Sequence, residues 1–221
     1  MDKYGIMLMD RMCFMKKRWI FCGIFLILFL IILVSVLMGR NLFIDSALIS
    51  LMEKLRNDGL TSVIKIVTFL GDKYFMLVLV LLISGFLYMN KHKFYSLIMC
   101  VNLFNIVVLN KGIKYIVRRE RPANMLIEKD GFSFPSGHSM LSIGIYGLLM
   151  YLIYKSKLSK KVKTISMVGL SILIVVIGFT RMYLGVHYPS DVIAGYLLTA
   201  AYLIVFISII MPKIKEFLAK K

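Results

Sequence analysis

Residues 19–38 read WIFCGIFLILFLIILVSVLM, twenty consecutive positions without a charged side chain. An α-helix rises 1.5 Å per residue, so such a run extends about 30 Å, the thickness of a bilayer's hydrocarbon core. This is the cleanest membrane span in the chain. Five further apolar runs follow it, at about 74–89, 94–110, 139–154, 164–180 and 192–211. The second is short and borrows residues from 63–71. The third carries Asn102 and Asn105, polar groups that a span turns toward neighbouring helices. The expected fold is all-α: an integral membrane bundle of six transmembrane helices over residues 19–211.

Composition agrees. Of 221 residues, 60% are hydrophobic, where a soluble domain averages nearer half. Mean hydropathy is +0.84. The formal charge of +17 comes from 28 basic against 11 acidic residues and would suit nucleic acid if it formed one patch. Instead it falls in short clusters between apolar runs, which argues against nucleic acid. Lys16, Lys17 and Arg18 precede the first span, and Lys91 and Lys93 separate the second from the third. Lys155, Lys157, Lys160, Lys161 and Lys163 separate the fourth from the fifth. Lys213, Lys215, Lys220 and Lys221 follow the sixth. With six spans these clusters share one face, which the positive-inside rule makes cytoplasmic. Residues 1–18 then form a cytoplasmic N-terminal segment and 212–221 a basic cytoplasmic tail.

Segment 39–70 reads as an amphipathic helix in the external interface, with Leu48, Leu51, Met52, Leu55 and Leu60 among Glu53, Lys54, Arg56 and Asp58. Cys13, Cys22 and Cys100 show no metal or redox spacing and read as small apolar residues. No metal and no cofactor is expected. The first apolar run is too long for a cleavable signal core.

One segment breaks the charge rule. Residues 111–138 should be external, yet hold Lys111, Lys114, Arg118, Arg119, Arg121 and Lys129 against Glu120, Glu128 and Asp130. Either the helix count is off by one or these cations bind an anion; the consistent clusters elsewhere favour the anion. If the third helix continues, Lys114, Arg118 and Arg121 fall at i, i+4 and i+7 on one face, and Pro122 ends it. Lysine as a point charge and arginine as a planar donor suit phosphate. Next, Phe134-Pro-Ser-Gly-His138 opens the fourth span, where capping by Ser136 and the bare Gly137 expose backbone amides to an anion. His138 at that mouth can donate a proton. Finally, Thr180-Arg181 and His187-Tyr-Pro-Ser-Asp191 join the fifth span to the sixth, with Asp191 placed to fix the His187 tautomer and free its other nitrogen.

Three such segments on one predicted side resemble the type 2 phosphatidic acid phosphatase superfamily, whose pattern is Lys-x6-Arg-Pro, Pro-Ser-Gly-His and Ser-Arg-x5-His-x3-Asp. Lys114 with Arg121-Pro122, residues 135–138, and Arg181, His187 and Asp191 match it; Thr180 replaces the usual Ser. The motifs occupy 114–122, 135–138 and 180–191. The resemblance implies His187 as nucleophile, Asp191 as its support and His138 as the acid. It implies that Lys114, Arg121, Arg181 and the Ser136 and Gly137 amides hold the phosphate, without metal. The substrate implied is a lipid phosphate: undecaprenyl diphosphate, phosphatidylglycerol phosphate or phosphatidic acid. The rival is a non-catalytic lipid-phosphate binder or transporter, which predicts a lost chemical residue; none is missing. Arg118 and Arg119 lie outside the pattern and either assist headgroup binding or are merely solvated, the solvated reading being favoured. Tyr183 and Tyr188 either line the headgroup site or belong to an interfacial belt. Lys111 reads as a snorkelling lysine. Short loops and a composition rich in Lys, Ile and Met suit a bacterial plasma membrane.

Overall fold

The computed structural model describes residues 3–40 and 42–219. Residues 1–2 of the N-terminal segment, the side chain of Cys13, and Lys220 and Lys221 of the tail lie outside the described residues. The described chain is helical with no strand: α1 (Lys3–Leu37), α2 (Phe43–Leu55), α3 (Asp58–Phe69), α4 (Lys73–Met89), α5 (Lys93–Val117), α6 (Gly137–Lys155), α7 (Lys160–Tyr183) and α8 (Pro189–Val205). A π-helical turn, Phe206–Ile210, leads into α9 (Met211–Ala219).

The helix starts follow local chemistry. Asn57 accepts from the Leu60 amide at 2.9 Å and opens α3, and Asp72 accepts from the Tyr74 amide at 2.8 Å and opens α4. Ser159 opens α7 in the same way. Gly39, with φ of +64°, ends α1 in the left-handed conformation that glycine adopts without strain.

Five helical segments are long and apolar enough to cross a membrane: Lys16–Leu37, Lys93–Val117, Gly137–Lys155, Lys160–Tyr183 and Pro189–Glu216. α4 has only 17 residues. It reaches spanning length together with α3, from which it is bent by 43°. The short second run therefore does draw on residues upstream of it. The expected amphipathic segment is two helices, α2 and α3, that dock on the bundle through α7 and α8. Their apolar faces meet Tyr183, Leu184 and Val186 through Met52 and Ile64, so much of that amphipathicity serves protein packing.

The core lies where α5, α6 and α8 meet, around Ile106, Met140, Ile145 and Leu198. Close approach there needs Gly144, because a Cβ would stand 2.0 Å from the Ile106 side chain. Asn102 donates to the Gly144 carbonyl at 2.8 Å, the interhelical use expected of it. α1 packs on α8 yet leaves Ile20, Ile27, Leu30, Ile31 and Leu37 exposed, and α7 exposes Ile165, Ile172 and Val175. An apolar belt of that extent is stable only in lipid. At one end of the bundle the α4–α5 and α6–α7 turns meet around His92, Lys155 and Lys157. At the other end, loop 118–136 meets turn 184–188, where the Leu126 amide donates to the Leu184 carbonyl at 2.9 Å.

Candidate active site

Lys114 stands in the last turn of α5, and the helix stops three residues later. Arg118 adopts φ of +52°, and its amide caps the Lys114 carbonyl at 3.0 Å. The three-residue face of Lys114, Arg118 and Arg121 expected from a longer helix therefore does not form. The left-handed cap sends Arg118 outward, where its Nε donates to the Tyr115 carbonyl, and the chain returns Arg121 to the site from an irregular loop. Arg121 holds that loop, donating to the carbonyls of Gly131 at 2.9 Å and of Asp130 and Phe132 at 3.2 Å. Its Nη1 donates to the Val186 carbonyl and lies 3.5 Å from His187 Nε2. Lys114 Nζ donates to the carbonyls of Phe132 and Ser133.

The second segment forms the N-terminus of α6. Ser136 is its cap, and the Ser136 amide donates to the Asp191 carbonyl at 3.0 Å. That amide is committed, so the expectation that it binds phosphate changes: Ser136 ties two segments together from behind, fully buried. Gly137 and His138 line the cavity, and the first amides of a helix have no intrahelical acceptor. His138 packs against Gly71 in the α3–α4 joint. A Cβ on Gly71 would stand 2.6 Å from Ile177 Cγ2 and 3.1 Å from His138 Cδ2.

The third segment ends α7 and begins α8. Arg181 is 1% exposed; its Nη1 donates to Thr68 Oγ1 at 2.6 Å, while its Nε has no partner. Arg181 thus presents an unmatched, fully buried guanidinium nitrogen beside the cavity, a planar donor whose chemistry suits an anion. Thr180, the departure from the family pattern, sends its hydroxyl to Thr68 and the Ile177 carbonyl. His187 is 3% exposed, and its Nδ1 lies 3.5 Å from Asp191 Oδ2. That distance carries charge attraction but is too long for a formed hydrogen bond, and Nδ1 has no other partner. Burial first, then the charges of Arg181, Lys114 and Arg121, push His187 well below the ordinary imidazole value of 6.5. Burial likewise lowers Arg121 from its ordinary value, against the pull of Asp191 and Asp130.

Lys114, Arg121, Gly137, His138, Arg181 and His187 thus line one cavity of about 170 Å3. Asp191, fully buried, stands behind His187. Its Oδ2 accepts from the Tyr188 amide at 3.0 Å, the reach-back half of a capping box. Among the described residues no group of three or more His, Cys, Asp or Glu side chains could hold a metal ion.

Arg119, read from sequence as solvated, donates from Nη1 to Asp191 Oδ1 at 2.7 Å and from Nη2 to Asp45 Oδ2 at 2.8 Å. Asp45, 4% exposed on α2, also accepts from the Ser190 amide and hydroxyl at 2.8 and 2.7 Å. Burial would lower the Arg119 guanidinium, but the two carboxylates outweigh it and the net shift is upward. The only sequence signal for this network was an acid, Asp45, standing alone in the apolar run 43–52. Tyr188 lays its ring 3.9 Å from the Arg119 guanidinium. Tyr183 is fully buried; its hydroxyl accepts from the Asn57 amide at 3.1 Å and contacts Thr61, so it anchors α3 instead of lining the site.

A family model described as the PAP2 superfamily matches residues 73–215, which contain all three segments. The chain belongs to the PAP2 superfamily. Phosphatidylglycerophosphatase B of Bacillus subtilis is 32% identical over 155 residues, 69% of this chain and 76% of that protein. Undecaprenyl-diphosphatase of Sulfolobus acidocaldarius is 35% identical over 100 residues, 42% of this chain and 44% of that protein. The crystal structure of a transmembrane PAP2-type phosphatidylglycerolphosphate phosphatase from Bacillus subtilis matches with a TM-score of 0.75 at 27% identity, over 83% of this chain and 93% of that one. Aquifex aeolicus LpxE shares the fold at a TM-score of 0.59 and 23% identity, over 75% and 96%. This PAP2 protein is an integral membrane lipid phosphatase, a hydrolase of phosphate esters.

Proposed function

We propose that this PAP2 protein removes the terminal phosphate of a lipid phosphate through a phosphohistidine on His187. The observation that carries the reading is the orientation of His187: Nδ1 faces Asp191, while Nε2 faces Arg121 in a cavity that Lys114 and Arg181 also line. Depression of its pKa keeps the imidazole neutral at pH 7, so Nε2 has a lone pair to give.

The Nε2 lone pair attacks phosphorus, and the bond from phosphorus to the leaving oxygen breaks as that oxygen takes a proton from His138. Asp191 and Arg119 behind it hold the imidazole as it becomes positive. Lys114, Arg121, Arg181 and the Gly137 amide face the equatorial oxygens, where charge gathers; preorganised donors of this kind contribute about 3 kcal/mol each. Water, giving a proton back to His138, then attacks phosphorus, the P–N bond breaks, and phosphate leaves with the imidazole restored. Arg119 does not line the cavity and acts through Asp191 as a positioning residue.

Phosphatidylglycerol phosphate and undecaprenyl diphosphate, named in the relatives, and phosphatidic acid are the substrates to try. The lysine-bearing α4–α5 and α6–α7 turns stand opposite the site, which supports cytoplasmic termini and an extracytoplasmic active site in a bacterial plasma membrane. Purified protein in detergent with EDTA should release phosphate from at least one of these lipids, and a cysteine at Glu128 should react with an impermeant reagent on intact cells. No release from any of them would reject the activity; labelling only after lysis would reject the sidedness.

A further inference from the structure

In the phosphatase reading, Lys114, Arg121 and Arg181 of the cavity provide for the phosphate oxygens of one monoester. The same cavity is also lined by Lys73, Lys111 and Lys129, against one carboxylate, Asp72, whose Oδ1 is held by the Tyr74 amide at 2.8 Å. Lys73 and Lys111 have a second position in the fold. They line a separate cavity of about 440 Å3 along the seam between α4 and α5. Val80 and Leu103, both buried, form its floor; Leu77, Leu81 and Phe104, all exposed, form its walls. The lining residues recur at helical spacing, from Lys73 to Leu81 on α4 and from Cys100 to Lys111 on α5. The α5 stretch alone is about 16 Å long at 1.5 Å per residue. Only Lys73, Val107 and Lys111 line both cavities. Two lysines thus flank the junction between a chamber lined with cationic side chains and an apolar groove, and among the described residues neither is in an ion pair with a carboxylate.

A lipid with its scissile phosphate at His187 and its chain in the groove would place at this junction whatever links the two. In a phosphomonoester of a diacylglycerol that link is neutral. In a prenyl diphosphate, or in a phospholipid whose glycerol headgroup carries the scissile phosphate, it is a second phosphate. The geometry points to Lys73 and Lys111 as a subsite for a second phosphate on the lipid side of the scissile one, selecting two-phosphate lipids over single-phosphate lipids. This rests on the phosphatase reading above and narrows its substrate.

Matched pairs test it: a prenyl diphosphate against the monophosphate of the same chain, and phosphatidylglycerol phosphate against phosphatidic acid with the same acyl groups. kcat/KM is measured in detergent for the wild type, Lys73→Gln, Lys111→Gln, the double variant, and Lys155→Gln at the opposite end as a control. The wild type is expected to favour the two-phosphate member. Each single substitution should lower turnover of that member about tenfold, the worth of one charged hydrogen bond. Turnover of the single-phosphate member should stay within about twofold, as for ordinary surface changes. It also reports that the variants are folded. A fall in the ratio for one pair alone supports the subsite and identifies the spacing it accepts. An unchanged ratio in both pairs, or an equal fall for both members, overturns the subsite and leaves the phosphatase intact. No release from any substrate by the wild type overturns the phosphatase reading, and this one with it.

Discussion

Arg119→Ala should damage this protein in two separable ways. The guanidinium bridges Asp191 at 2.7 Å and Asp45 at 2.8 Å, with side chains 16%, 0% and 6% exposed. Removing it leaves two buried carboxylates, Asp45 held by Ser190 and Asp191 by the Tyr188 amide. Breaking a buried pair by deleting one partner costs about 3–5 kcal/mol, on the order of 10 °C in thermal midpoint for a chain of this size. The catalytic loss has another source. Asp191 would lose its strongest donor and turn from His187, and a charged hydrogen bond is worth about 1.5–3 kcal/mol, or roughly 10–100-fold in kcat. KM should hold within about twofold, because Arg119 does not line the cavity and uniform binding should be unchanged. The assay is steady-state phosphate release together with thermal unfolding in detergent. Adding Asp45→Asn to Arg119→Ala should recover much of the thermal midpoint, since one uncompensated charge is gone, but not kcat. Arg119→Ala with kcat within twofold of wild type would refute the positioning role. Recovery of kcat along with stability in the double variant would show that Arg119 is structural only.

The remaining expectations concern His187 and His138. Burial and the charges of Arg181, Lys114 and Arg121 disfavour protonated His187. Protonation removes the attacking lone pair, so the acid limb of single-turnover phosphorylation should lie below pH 6.5, and Arg181→Gln should move it upward. A limb above 6.5 would contradict the assignment. Gly71→Ala would put a methyl 2.6 Å from Ile177 and 3.1 Å from His138. Small misplacement of a catalytic group is costly, so kcat should fall roughly tenfold or more with the protein still folded; wild-type kcat would show that His138 is not held there.

Much of this was open to inspection of the sequence because the deciding signals are local. A charge-free run such as 19–38 spans a bilayer whatever its neighbours, and Lys114, Arg121, His138, Arg181 and His187 stand at spacings that carry the motif. What stayed hidden depends on tertiary contacts. Arg119 differs from the exposed Arg118 beside it only because α5 ends in a left-handed turn and loop 118–136 folds back. Asp45 meets Arg119 across 74 positions, which no periodicity reports. The role of Ser136 changed for the same reason: its amide faces the Asp191 carbonyl, a contact made only once α6 and α8 are side by side. The bend between α3 and α4 at Gly71 was visible only as a second span that looked too short.

The central claim is that His187 carries the phosphoryl group during turnover. The most direct measurement is acid-free quenching of the enzyme in mid-turnover on a lipid labelled in its terminal phosphate, followed by peptide mapping of the bound label. The account predicts acid-labile, alkali-stable label on the peptide containing His187, absent from His187→Ala and accumulating when His138→Ala is given a substrate with a good leaving group. Label on another residue, or full phosphate release by His187→Ala, would contradict it.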